Sequence, residues 1–138
     1  MSSKSLILVV EDNEANQLLT SAVLEREGYR VAVAATVSEA LKQLHACTPD
    51  LILMDVHLPG QDGLSLTRKL KADPATARIP IVALTAYAMV GDREHALAAG
   101  CAGYIPKPID TRTFGDQVRQ FMGPPLDGDQ SMSQGVTR

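Results

Sequence analysis

Five short apolar runs, each followed by a stretch with helical spacing, constrain this chain more than any other feature of its sequence. The runs lie at residues 6–10, 31–33, 51–54, 81–84 and 103–105. Runs this short and this continuous suit strands buried on both faces, the condition of a parallel sheet. The intervening segments carry helix signals. Asn13 is placed to cap a helix with apolar positions Leu18, Leu19, Ala22 and Val23, ending at Gly28. Thr36-Val-Ser-Glu39 has capping-box spacing and opens a helix with Ala40, Leu41 and Leu44 on its inner face. Residues 64–71 and 92–99 read as helices, the second ended by Gly100, and Asp110 caps a last helix carrying Phe114, Val118 and Phe121. Residues 58–63, rich in Pro, Gly and Asp, read as a loop.

Strict alternation with short connections requires crossover helices between parallel strands. The expected fold is α/β, a doubly wound five-stranded parallel sheet with helices on both faces. Periodicity leaves the strand order open. The 138 residues suffice for one domain, expected over residues 4–122. From Gly123 the chain turns to Pro, Gly, Ser, Asp and Gln, and residues 123–138 are expected to form a disordered polar tail.

Composition narrows the function. With 13 Lys+Arg against 16 Asp+Glu, a net charge of −3 and no basic cluster, nothing supports a nucleic-acid surface. No stretch approaches the ~20 apolar residues that span a bilayer, and the N-terminus lacks a signal peptide, so the expected location is cytoplasmic. Cys47 and Cys101 lie in unrelated segments without metal spacing and read as reduced thiols.

In open α/β sheets the working groups collect at the carboxyl ends of the strands. Here the first strand ends in Glu11-Asp12, the third in Asp55 and the fourth in Thr85, and the fifth is followed by Lys107-Pro108. Carboxylates ~4 Å apart repel by about 4 kcal/mol at an effective dielectric near 20, so three together call for a cation or a shared proton. Oxygen donors without Cys or His select a hard ion such as Mg²⁺ or Mn²⁺. Thr85 and Lys107, a hydroxyl and a cation, suit a dianionic phosphoryl group arriving on one carboxylate. Each feature also has a plainer reading. Asp12 or Asn13 can cap the first helix, Thr85 can cap a helix, and Lys107 can be a solvated surface lysine. Pro108 permits a cis peptide at low cost, which would turn the lysine back over the sheet edge.

The stretches Val9-Val-Glu-Asp-Asn13, Leu53-Met-Asp-Val-His-Leu-Pro-Gly-Gln-Asp-Gly63, Leu84-Thr-Ala86 and Tyr104-Ile-Pro-Lys-Pro108, in this order and spacing, resemble the receiver domain of two-component response regulators. That is the CheY-like, flavodoxin-like fold. The resemblance runs from about Lys4 to Phe121 and is closest to single-domain cell-cycle-type regulators and hybrid-kinase receivers. It implies that Asp55 accepts a phosphoryl group from a histidine kinase or histidine phosphotransfer protein. It implies Mg²⁺ held by Asp12 directly, by Glu11 partly through water, by Asp55 and by the backbone carbonyl of His57. Thr85 and Lys107 match the residues that contact the phosphoryl oxygens. Thr85 and Tyr104 match a switch pair that reshapes the surface of the fourth helix, fifth strand and fifth helix, where a downstream protein docks. An edge-strand aromatic half covering the sheet is the plainer reading of Tyr104. The expected activity is that of a phosphoacceptor signalling domain, catalysing only its own phosphorylation and dephosphorylation, as a monomer or a weak phosphorylation-dependent dimer.

Other residues invite narrower readings. His57 is expected as a rim side chain tuning access to Asp55, and Tyr87 as a shield for the acyl phosphate. Asn16 either lines the pocket or is an ordinary exposed helix residue. His45, His95 and the stretch 68–71 are expected to be solvated. Three alternatives remain beside a stand-alone regulator: a receiver cut from a longer hybrid kinase or multidomain regulator, a phosphorylation-independent interaction module, and a different class such as an FMN binder or a dehalogenase-type phosphatase. Glu11-Asp12 would repel an FMN phosphate, and the phosphatase wants an acid where His57 stands.

Overall fold

The structure, a computed structural model, describes residues 5–58, 61–85 and 90–122, with the side chains of 61, 62 and 90–93 excepted. Tyr87 and the expected tail lie outside the described residues. Among the described residues, seven strands and five helices follow one another as β1 (Leu6–Val10), α1 (Glu14–Arg26), β2 (Arg30–Ala34), α2 (Val37–Ala46), β3 (Leu51–Asp55), β4 (His57–Leu58), β5 (Gln61–Asp62), α3 (Gly63–Ala72), β6 (Ile81–Thr85), α4 (Val90–Ala99), β7 (Gly103–Pro106) and α5 (Phe114–Met122). Five strands form one sheet in the order β2-β1-β3-β6-β7, every pair parallel. Tertiary pairing supplies the order that periodicity left open: β1 and β3 sit side by side at the centre, and so do β3 and β6. Where a loop was expected, β4 pairs antiparallel with β5, and α3 begins at once after β5.

Side-chain alternation along buried strands splits the core in two. Leu8, Val10, Ile52 and Met54 point to the layer of α2, α3 and α4, where Ala40, Leu66, Leu70 and Ala96 close the cluster. Ile7, Val9, Leu51 and Leu53 point to α1 and α5, meeting Leu24, Phe114 and Val118. Both faces are covered, as a doubly wound sheet requires.

The helix starts follow the sequence signals with local differences. Asn13 caps α1, its Oδ1 accepting from the Asn16 amide at 3.0 Å. Gly28 beyond the helix has φ +98°, a backbone region that disfavours a side chain. Thr36 accepts from the Glu39 amide at 3.1 Å, but Glu39 reaches back to the amide of Ala35, one residue before the cap. Asp110 caps a turn rather than the helix proper: its carbonyl accepts from Thr113 and Phe114, and α5 starts at Phe114.

The face assigned to α1 is corrected. Leu18 is 73% exposed and Leu19 40%, Ala22 is exposed as well, and the buried positions are Thr20, Val23 and Leu24. Apolar residues occur on both sides of this helix, so its rotation follows from packing against the sheet. Lys71 is corrected too. It is half-buried, and its ammonium donates to the carbonyls of Ala77 (2.9 Å) and Ile79 (2.8 Å), fastening the chain between α3 and β6. Its neighbours Arg68 and Lys69 are exposed, as are His45 and His95. Cys47 and Cys101 are free thiols, and burial pushes the Cys101 thiol up.

Candidate functional site

The carboxyl edge of the sheet holds three of the buried polar groups, Glu11 just beyond β1, Asp55 ending β3 and Thr85 ending β6. Glu11 is only 1% exposed although it follows directly on an apolar strand. Its amide donates to the Ala34 carbonyl at 2.9 Å, extending the β1–β2 ladder by one step. Its Oε2 accepts from the Asn13 amide at 3.2 Å. Asp12, one residue on, is exposed and belongs to the turn into α1.

Asp55 is fixed from below by the strand and from above by the chain that follows. Its Oδ1 accepts from the His57 amide at 3.0 Å. The Val56 amide donates to the Leu84 carbonyl, and the Gly63 amide to the Val56 carbonyl, both at 3.1 Å. The β4–β5 pair thus folds back onto the strand end. It can do so because residue 63 is glycine: a Cβ there would collide with the Asp55 carbonyl oxygen and lie 3.2 Å from the Met54 side chain.

Lys107 joins the acids. The Lys107–Pro108 peptide is cis, and the Lys107 amide donates to the Thr85 carbonyl at 2.8 Å. Its ammonium lies 2.9 Å from Glu11 Oε1 and 3.3 Å from Asp55 Oδ2. This Glu11 oxygen is buried, and among the described residues it makes no hydrogen bond beyond that ion pair. Burial pushes the ammonium down, but the two carboxylates outweigh it and hold Lys107 above its ordinary value. Burial also pushes the Asp55 carboxyl up, to about 6. The Glu11 charge adds to that rise, while the His57 amide and Lys107 oppose it.

Oxygens of Glu11, Asp12 and Asp55 all lie within 4.8 Å of one another. Among the described residues, three carboxylates at this spacing beside the one ammonium of Lys107 leave excess negative charge. A small divalent ion with oxygen preference fits that charge and that set of oxygen donors. The residues present therefore fit Mg²⁺ or Mn²⁺.

The sequence-derived candidates divide by distance from this cluster. Glu11, Asp12, Asp55 and Lys107 come together. Thr85 is at the same edge, buried, one step past the register partner of Asp55. Tyr104 pairs with Ala83, so it and Thr85 are diagonal neighbours on the face covered by α3 and α4. It is half-buried. The His57 side chain is exposed at the rim. Asn16 is half-buried and lines a small crevice with Leu19, Thr20, Pro108 and Ile109 beside Glu11. Two contacts escape sequence reasoning. Gly63 reads as the end of a loop, whereas it opens α3, and its close approach to the Asp55 carbonyl follows only from the fold. Gln17 donates from α1 to the Glu11 carbonyl at 2.5 Å, and no one-dimensional pattern announces that.

Comparison with known proteins agrees with this geometry. Residues 7–119 match the model of the response regulator receiver domain. The chain belongs to the response regulator receiver domain family. It is 40% identical over 117 residues to the polar-differentiation response regulator DivK of Brucella ovis, covering 85% of this chain and 95% of that one. Among solved structures, a putative response regulator from Chloroflexus aurantiacus superposes with a TM-score of 0.84 at 30% identity, over 88% of this chain and all of the other. The receiver domain of the sensor histidine kinase PA1611 from Pseudomonas aeruginosa gives a TM-score of 0.79 at 39% identity, with the same coverage; that structure holds a magnesium ion coordinated in its active-site cleft. The chain is thus a receiver domain of the two-component type, a signalling domain and not a classical enzyme. Among the described residues no helix is long and apolar enough to cross a membrane.

Proposed function

We propose that Asp55 accepts a phosphoryl group from a histidine kinase or a histidine phosphotransfer protein, within a receiver unit spanning residues 4–122. The observation that carries this reading is the convergence of Glu11, Asp12 and Asp55 within 4.8 Å, with Lys107 bridging two of them. Glu11, Asp12, Asp55 and the His57 carbonyl would hold Mg²⁺ or Mn²⁺. When bound, the ion supplies positive charge against the acceptor and phosphoryl oxygens. An Asp55 oxygen forms the new bond to phosphorus as the phosphorus–nitrogen bond of the donor breaks, its electron pair returning to the imidazole. Lys107, already drawn to Asp55, neutralises charge on the transferred group, and Thr85 donates its hydroxyl. The domain in this sense catalyses only its own phosphorylation and dephosphorylation.

Switching uses the same residues. A phosphoryl group adds roughly −1.5 to −2 charges. Thr85 moves towards it and Tyr104, its diagonal neighbour, takes the space released. The α4–β7–α5 surface then changes for a downstream protein, and Leu97 on α4, 43% exposed, offers an apolar contact there. We place the protein in the cytoplasm, as a monomer or a weak dimer formed on phosphorylation.

Acetyl phosphate with Mg²⁺ should produce a base-labile, hydroxylamine-sensitive acyl phosphate on the wild type and none on Asp55→Asn. Uptake by Asp55→Asn at the wild-type rate would show that the acceptor lies elsewhere.

A further inference from the structure

We infer that Gln17 is a positioning residue for the metal site, clamping the peptide that carries Asp12. The inference rests on the reading of Glu11, Asp12 and Asp55 as metal ligands. The Glu11 carbonyl and the Asp12 amide belong to one peptide plane, and rotation of that plane swings Asp12. The β1–β2 and β1–β3 registers both end at Val10, so the Glu11 carbonyl lies past the last register pair of either neighbour. Gln17, in the first turn of α1, reaches back and donates its Nε2 to that carbonyl at 2.5 Å in partly buried surroundings. The Gln17 amide itself donates to the Asn13 carbonyl at 2.9 Å, so the donor is anchored in the helix.

Asp12 has no comparable support. It is exposed, and among the described residues its carboxylate takes no hydrogen bond. The Glu11 side chain is held by Asn13 and Lys107. Of the two adjacent acids, the one that depends on the backbone for its placement is therefore Asp12. Partners that orient a metal ligand without touching the ion typically change affinity about 10–100-fold. The expected effect of Gln17 is at the lower end, because one ligand of the set depends on it.

Calorimetric titration with Mg²⁺ and Mn²⁺ on wild type, Gln17→Met and Gln17→Glu tests this. Gln17→Met keeps the shape and removes the donor. It should weaken both ions about tenfold and raise the half-saturating Mg²⁺ for acetyl phosphate labelling by the same factor, while the rate at saturating Mg²⁺ falls less than threefold. Gln17→Glu adds a negative charge that attracts cations at long range, yet the lost clamp should leave it binding no more tightly than wild type. In EDTA, the Gln17 side-chain amide protons of the wild type should exchange more slowly than those of an exposed glutamine. Equal Mg²⁺ affinity in wild type and Gln17→Met, tighter binding by Gln17→Glu, or fast amide exchange would overturn the inference. A Gln17→Met protein with lowered thermal stability but wild-type Mg²⁺ affinity would do the same, since it reduces Gln17 to a structural role. Wild type without saturable Mg²⁺ binding would instead overturn the metal-site reading itself, and the inference with it.

Discussion

Met54 and Asp55 are neighbours on one strand and almost equally shielded from water, but their surroundings differ in kind. Met54 and the strand residues before it pack into the two apolar core clusters. Asp55, 4% exposed, meets a second carboxylate and an ammonium, and its own ionisation is opposed by burial. The middle of the sheet stabilises the fold, whereas its carboxyl edge holds charges that a stability-optimised protein would not keep together. Such an edge is where strain is retained for function.

That contrast can be broken most strongly from the interior. Leu53→Ala should lower the unfolding free energy by about 2–5 kcal/mol in urea titrations, since Leu53 is fully buried and its loss leaves a cavity. Asp55→Asn should do the reverse in EDTA at neutral pH and raise stability. The pH dependence sharpens this. The folded carboxyl of Asp55 is raised to about 6, so between pH 4 and 6 the folded state holds the proton more tightly than the unfolded one. Stability from this group is present at low pH and falls as pH rises through that window. The advantage of Asp55→Asn over wild type, measured in EDTA, should therefore grow from pH 4 to 6 and then level off, by at most about 3 kcal/mol. An advantage that shrinks with rising pH would contradict the placement of Asp55 in a desolvated acidic cluster.

Lys107→Met should cost about 2 kcal/mol in EDTA at pH 8, less than a fully buried pair because the ammonium is partly exposed. Added Mg²⁺ should restore part of that loss if the acids bind it. The smallest effect on stability belongs to Asp12→Asn, within about 0.5 kcal/mol of wild type because the side chain is exposed. The same substitution should nonetheless weaken Mg²⁺ binding in a calorimetric titration, which separates its contribution to the site from any contribution to the fold.

Much of this was legible in one dimension. Burial on both faces forces continuous apolar strands, so the strands announced themselves, and their carboxyl ends named Glu11, Asp12, Asp55, Thr85 and Lys107. Caps depend on a few adjacent residues, so Asn13 and Thr36 were readable too. What failed was whatever depended on rotation or on a distant partner. Leu18 and Leu19 look like core until α1 is turned against the sheet and Thr20 and Leu24 take their place. Lys71 looks like a surface lysine until the chain returning towards β6 brings two carbonyls under it.

The sequence alone determined the alternation of strands and helices, the class of the sheet and the chemical character of its edge, since these follow from hydrophobic period and residue type. Only the tertiary structure decided the strand order, the 4.8 Å convergence of three acids, the hydrogen bond from Gln17 to the Glu11 carbonyl and the close approach of Gly63 to the Asp55 carbonyl. Those depend on contacts between segments far apart or folded back on themselves, and such contacts exist only once the chain has closed.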